Sequence, residues 1–460
     1  MGVAVSDWRL ARAVSQRGQL GVVSGTALDT VFVRRLQDGD PGGHLRRAAA
    51  AFPIRGVAAD VMQRYYLPHG RPPGTRYRLL PLMRERLTRA REALIALAAF
   101  AEVWLAKEGH DGLVGLNLLT KVQIPTLPTL YGAMLADVDY VLMGAGIPKE
   151  IPGALDRLAR HEPATLKLDI EGPAGQPDVL LSLDPRVLWD AVPAPLHRPR
   201  FLPIVSSHSL ATLLARKASG RVDGFVIEGP VAGGHNAPPR GPLQLDDHGE
   251  PIYGERDVVD LDAIRALGLP FWLAGGTGHP AQLRTAQALG AAGVQVGTLF
   301  AWCEESGFAP GLKNEVLTHA VRGQLSVRTD PRASPTGYPF KVAQWPGAPD
   351  TTGRERVCDL GVLRMPYRMT DGRLGYRCAG EPEADYVRKG GALEDTVGRQ
   401  CLCNGLTAAE GQPQIRRDGT PEPALVTSGD DLESVAGFLR GRSHYTAADV
   451  IDYLLDSAAH

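Results

Sequence analysis

Cysteine is scarce in this chain: five among 460 residues, and an odd number. That excludes the disulfide framework of small secreted domains and leads us to expect a reducing compartment, the cytoplasm by default. Charge of one sign is not in excess either. The 50 Lys and Arg are matched by 51 Asp and Glu, for a formal net charge of -1, so no basic field draws in nucleic acid or an anionic membrane surface, and neither partner is expected. Long apolar runs are missing, none reaching the roughly 20 residues that cross a bilayer. The opening "MGVAVSDWRLARAV" lacks the residue order of a signal peptide. What is present, 44% hydrophobic and 22% charged residues, is the composition of a folded enzyme built as one large domain or two.

Along the chain, Ser6 is expected to cap a helix through "DWRLARAVSQR" that Gly18 stops, and "LGVVSGTAL" reads as a short strand. Residues from about 38 to 111 read as a mainly helical insertion. Its longest helix lies in "MRERLTRAREALIALAAFAEVWLAKEG", where Leu87, Ala90, Leu94, Leu97, Ala101 and Trp104 would line one buried face. From Gly112 a rhythm sets in of an apolar run, a Gly-rich or polar tip, then a segment with helical spacing. The runs are "GLVGLNLL", "YVLMGAG", "FLPIVSS", "GFVIEGPVAGGHN", "PFWLAGGTG" and "GVQVGTLFA". Continuous rather than alternating apolarity implies strands buried on both faces, as in a parallel sheet covered by helices. With "LGVVSG" the strands number seven, and "GVAV" at residues 2–5 is a candidate for the end of an eighth. The count fits an α/β fold of the (β/α)8 TIM-like barrel type, with a doubly wound sheet as the alternative. The segment "ATLKLDIEGPAGQPDVLLSLDP" reads as a hairpin inserted at about 164–185. Near Leu325 the rhythm ends, which divides the chain into a barrel over 1–325 and an appendage over 326–460 packed on it.

In such a barrel the site lies at the C-terminal strand ends, and phosphate groups are commonly held by the loops after the seventh and eighth strands. Those loops are "AGGTG", with Gly275 and Gly276, and "VGT", with Gly297 and Thr298, whose open N–H groups suit an anion. No Walker motif is present, and "GAGIPK" lacks the third glycine of a dinucleotide fingerprint. Histidines stand at three strand ends, His208, His235 and His279. Converging, they would hold zinc or iron as in a metal hydrolase, yet no carboxylate accompanies them, and His279 before Pro280 suits a helix cap, so no metal is expected. His235 differs because Gly233 and Gly234 let its backbone pass close to a flat ligand, and a neutral imidazole near pH 7 takes or gives a proton. Cys358, Cys378, Cys401 and Cys403 contain only one close pair, spaced C-x-C, and read as buried thiols rather than a zinc ribbon.

The ordered set "GVAVSDWRLARAVSQRGQLGVVSG", "GLNLL", "GPVAGGHNAP", "LAGGTG" and "VQVGTLFA" resembles the FMN-dependent nitronate monooxygenases, formerly called 2-nitropropane dioxygenases, over roughly residues 1–305. That family includes enoyl reductases acting in trans on polyketide and polyunsaturated fatty acid synthases. The resemblance implies a TIM-like barrel with FMN at its mouth, contacted by Gly2, Asn117, Glu228, Gly233, Gly234, Gly275, Gly276, Gln295, Gly297 and Thr298. It implies His235 as the catalytic base beside the flavin, O2 as co-substrate, and nitrite and a carbonyl compound as products. The reductase branch would instead use NADPH and an acyl carrier protein. Glu228 stands where family members commonly carry glutamine. The resemblance further implies a buried strand ahead of the "GVAVS" turn, so the first barrel strand is expected to be truncated here and the natural start to lie upstream of Met1. A flavin- or phosphate-binding accessory protein without catalysis is the competing reading outside the enzymes.

Overall fold

The computed structural model describes residues 2–173, 175–351 and 353–455. Its centre is a parallel sheet of seven strands: β1 (Gly21–Ser24), β2 (Val114–Leu119), β3 (Tyr140–Gly144), β4 (Arg200–Val205), β5 (Phe225–Glu228), β6 (Phe271–Ala274) and β7 (Gly293–Gln295). They neighbour one another in that order, every pair parallel. An order without reversal curls into the wall of a TIM-like barrel, and it excludes the doubly wound alternative, whose strand order turns back at a switch point. The apolar runs explain the burial: all of β3 and the first five residues of β2 are covered. The inserted hairpin pairs Ala164–Lys167 with Leu180–Leu183.

Three local expectations are corrected. Asp7, not Ser6, caps the helix Trp8–Gln16 by accepting from the Arg9 N–H; the Ser6 hydroxyl is taken up by the Val22 carbonyl at 2.6 Å. The long helix runs from Arg89 to Lys107 with Thr88 as its cap, so Leu87 precedes it. Instead of one stripe it is buried all round from Ala93 to Val103, because helices Trp8–Gln16, Leu28–Gln37, His44–Ala51, Val57–Tyr65 and Thr126–Leu135 all pack against it. Its alanines permit this crowding. So does Gly132 on the last of those helices, where an added Cβ would lie 2.0 Å from the Ala96 carbonyl oxygen. The third correction concerns "GVAV", which forms a turn and not a strand end.

On their outer sides β1 and β7 have no strand partner among the described residues. The seam between them is flanked by the helices Trp8–Gln16 and Pro280–Ala288, and the helix Ala447–Leu455 packs on both. Exposed strand edges invite unwanted pairing, and a covering helix is one way of blunting them. An Arg17–Asp452 ion pair and a ring contact of 5.7 Å between His279 and Tyr453 help hold that helix.

From Ser326 on, the chain forms an antiparallel ribbon, Ser326–Asp330 with Phe340–Gln344, then a hairpin, Met365–Arg368 with Leu374–Arg377, and short helices. Its apolar side chains join those of Leu10, Val14 and the helix Pro310–Val321 in one core. A buried ion cluster ties the same parts together: the Arg35 guanidinium meets Asp7 at 3.1 Å, Glu102 at 2.9 Å and Glu410 at 3.9 Å. Among the described residues no helix is long and apolar enough to cross a membrane.

Candidate active site

β5 ends in Glu228, and the chain then turns through "GPVAGGHNAP" at the mouth of the sheet. This loop is held mainly by the C-terminal segment. The Gly234 N–H donates to the Thr427 hydroxyl at 2.9 Å, its carbonyl accepts from Lys341 N–H at 2.9 Å, and Asn236 N–H reaches the Pro339 carbonyl at 3.0 Å. The two glycines are required by that fit. A Cβ on Gly233 would stand 2.7 Å from the Ser428 carbonyl carbon, and Gly234 has a φ of +84°.

His235 is thereby fixed. Its Nε2 lies 2.7 Å from the Ser334 hydroxyl, which in turn pairs with the Thr336 hydroxyl at 2.8 Å, and its ring meets Phe340 edge-on at 4.9 Å. Burial pushes the imidazole down to about 4, with neighbouring positive charge, Lys121 included, acting the same way, so the ring is neutral at pH 7. Burial acts on Glu228 in the opposite sense and pushes its carboxyl up to about 7. Both side chains face one cavity of about 550 Å³.

That cavity gathers most of the expected residues. Gly2, Asn117 and Glu228 line it from one side, Gly233, Gly234 and His235 from above, and Gln295, Gly297 and Thr298 from the end of β7. Gly275 and Gly276 do not line it. They lie under the β5 loop, where a Cβ on Gly275 would meet the Ala232 nitrogen and a Val231 methyl at 3.1 Å, and their φ values of +95° and +66° serve that turn. Two buried polar atoms in the cavity wall have no partner, Asn117 Oδ1 and the Ser428 hydroxyl. Such orphans at a cavity point to polar groups on a ligand. The expected phosphate end is occupied differently from expectation: the Thr298 hydroxyl donates to Asp431, whose carboxyl burial holds above its ordinary range, and no Lys or Arg lines the cavity among the described residues.

The three strand-end histidines do not come together in this cavity. Of the three only His235 lines it; His279 caps its own helix by accepting from Ala281 N–H at 3.1 Å. Among the described residues no group of three or more His, Cys, Asp or Glu is arranged to hold a metal ion. Sequence reasoning missed Ser334, Thr427, Ser428 and Asp431. Their only signal was turn chemistry, "SPTGYP" and "TSGDD", which marks a loop without saying what it touches.

Residues 194–330 match the family model described as nitronate monooxygenase. No curated protein matches the chain. Similar solved structures include FabK from Thermotoga maritima, 16% identical over 98% of this chain and 88% of that one with a TM-score of 0.48. A nitroalkane oxidase from Streptomyces ansochromogenes is 14% identical over 99% and 92%, with a TM-score of 0.44. The enoyl reductase domain of MlnA, from the macrolactin biosynthesis cluster of Bacillus amyloliquefaciens, is 10% identical over 80% and 85%, with a TM-score of 0.41. The matched segment 194–330 runs from just before β4 to Asp330 and carries Glu228, His235, Gln295, Gly297 and Thr298.

Proposed function

From the resemblance of residues 194–330 to the nitronate monooxygenases, a family of oxidoreductases, we propose that this chain is an FMN-dependent enzyme that oxidises alkyl nitronates with O2, giving a carbonyl compound and nitrite. The observation that carries this reading is His235, a neutral, half-buried imidazole in the wall of a cavity that keeps unpaired polar atoms.

The residues present fit the cofactor. A cavity of about 550 Å³ is in the usual range for such ligands. Asn117 Oδ1 and the Ser428 hydroxyl await partners, and Gln295 adds an amide. The phosphate would be held by the backbone N–H groups at Gly297 and Thr298, with the Asp431 carboxyl close by as an opposing charge. Bound FMN would supply the redox chemistry, which the protein itself cannot perform.

The side chains do the rest. In the tautomer with its proton on Nε2, His235 donates to Ser334 and leaves Nδ1 to take the proton from the carbon beside a nitro group. A nitronate arriving already ionised does not need that step. Leu142, Leu202, Ile204 and Val226 line the inner wall and exclude water. Glu228, raised to about 7, is mostly protonated and puts little charge against an anionic substrate only when the pH is well below 7.

One observation favours a second reading. A carboxyl that holds its proton to about pH 7 inside the cavity suits delivery of a proton to a reduced carbon, which an NADPH-dependent enoyl reductase acting on a carrier-bound acyl chain requires. Anaerobic reduction of the yellow, FMN-loaded protein separates the two. Bleaching by propyl nitronate but not by NADPH is the outcome expected; rapid bleaching by NADPH alone would transfer the assignment to the reductase, and a protein that binds no flavin would overturn both.

A further inference from the structure

Four of the five cysteines meet at one place. Cys358, Cys378, Cys401 and Cys403 line a small enclosed cavity of about 10 Å³ in the C-terminal segment, while Cys303 is buried in the core beneath the first helix. The four come from three places in the chain. Cys358 lies in the loop before the hairpin Met365–Arg368 and Leu374–Arg377, Cys378 directly follows that hairpin, and Cys401 occupies the cap position of the helix Leu402–Ala409, which contains Cys403. Backbone N–H groups are turned toward the sulfurs: Gly380 to Cys378, Asn404 to Cys401, and Val362 with Leu363 to Cys403.

Within the cluster one pair stands out. Cys358 and Cys378 face each other across this small cavity, closely enough for each thiol to shift the titration of the other. That contact, aided by Arg364 and Lys389, holds the Cys358 thiol below its ordinary range, whereas the same contact and burial hold Cys378 well above. Cys358 is also partly exposed and Cys378 buried, the arrangement of an attacking thiol and a resolving one. No three of the four sulfurs are arranged around a metal position. The cluster borders the candidate active site as well, since Leu363, Leu402 and Cys403 line both cavities.

We propose that Cys358 and Cys378 form a reversible dithiol–disulfide pair, oxidised by a small disulfide of the glutathione type, and that the bond pins the Val362–Leu363 wall of the active-site cavity to the neighbouring hairpin. In the first step the Cys358 thiolate attacks oxidised glutathione, making a mixed disulfide and releasing one glutathione thiolate. Cys378 then attacks the Cys358 sulfur, the intramolecular S–S bond forms, and the second glutathione thiolate leaves. The two thiol protons pass to the two departing thiolates, so two cysteines are oxidised and one disulfide is reduced.

The test is a peptide map of the full chain. Reduced protein is equilibrated with glutathione mixtures of rising oxidised fraction, free thiols are alkylated on unfolding, and cross-linked peptides are identified. A Cys358–Cys378 cross-link that dithiothreitol reverses, with Cys303 alkylated throughout, is expected. The cross-link should vanish in Cys358→Ser, and oxidation should raise the melting temperature of the parent protein but not of Cys378→Ser. Five alkylated cysteines at the most oxidising mixture would overturn the proposal, as would a Cys401–Cys403 link in its place. So would thiols that resist alkylation until a chelator strips one bound metal ion per chain. The parent map decides even where a serine variant does not fold.

Discussion

The strand ends of the barrel and the segment beyond Ser326 meet at one cavity, yet they supply it with different things. β5 and its loop bring the two groups able to exchange protons, Glu228 and His235. The C-terminal segment brings what holds the imidazole in place, Ser334 on the ring and Thr427 and Lys341 on the loop backbone, and adds Asp431 against Thr298 at the other end of the cavity. A reagent on a strand end gains a defined direction only when a second element fixes it. Here the second element is remote in sequence, so loss of the reagent and loss of its support should be separable by measurement.

The sharpest break of this contrast is His235→Ala. Turnover of a neutral nitroalkane is expected to fall roughly 10²–10⁴-fold, while turnover of a preformed nitronate stays within a few-fold; steady-state rates on the two substrates decide, and equal losses would remove the base assignment. Glu228→Gln comes next. The folded carboxyl is raised from its usual value of 4.5 to about 7, so its unfavourable burial is absent below pH 4.5, grows as pH rises to 7, and is constant above. The variant should therefore gain melting temperature over the parent across pH 4.5–7, reaching on the order of 5 °C; a difference independent of pH would contradict the burial argument. On the covering segment, Asp431→Asn removes a carboxylate from the expected phosphate seat. Fluorescence titration should show FMN bound about tenfold tighter, a change of roughly 1.4 kcal/mol, and an unchanged affinity would put the phosphate elsewhere. The smallest effect is expected for Ser334→Ala, where loss of one neutral hydrogen bond of about 1 kcal/mol lowers kcat roughly fivefold with little change in KM.

The same contrast sets how much was legible in the sequence. Parallel strands announce themselves by continuous apolar runs, so β2 to β7 and their order were readable, as was the hairpin near 164–185. "AGGH" was readable as a strand-end histidine for the same reason. The second reason for its glycines was not: they also fit against the Ser428–Gly429 backbone and the Thr427 hydroxyl, and a contact across almost two hundred residues leaves no local pattern. Gly275 and Gly276 sit under the β5 loop and not in the cavity wall, and a glycine needed under a loop looks in sequence like one beside a phosphate. The helix Arg89–Lys107 was located but its surroundings were not, since alanine is apolar enough to be buried and small enough to face any neighbour. Asp7 outcompeted Ser6 as a cap once Val22 claimed the serine hydroxyl, a tertiary effect that propensity does not contain.

The helix Ala447–Leu455 closes the seam beside β1, an element more than four hundred residues earlier in the chain, and Ile451, Leu454 and Leu455 form part of the cavity wall. During synthesis the barrel strands emerge long before their clasp does. Contacts of such sequence separation form late, after loop-closure entropy has been met elsewhere. Until that helix docks, the cavity lacks the wall that Ile451, Leu454 and Leu455 supply, so a ligand meets a finished seat only after the most distant contact in the fold has formed.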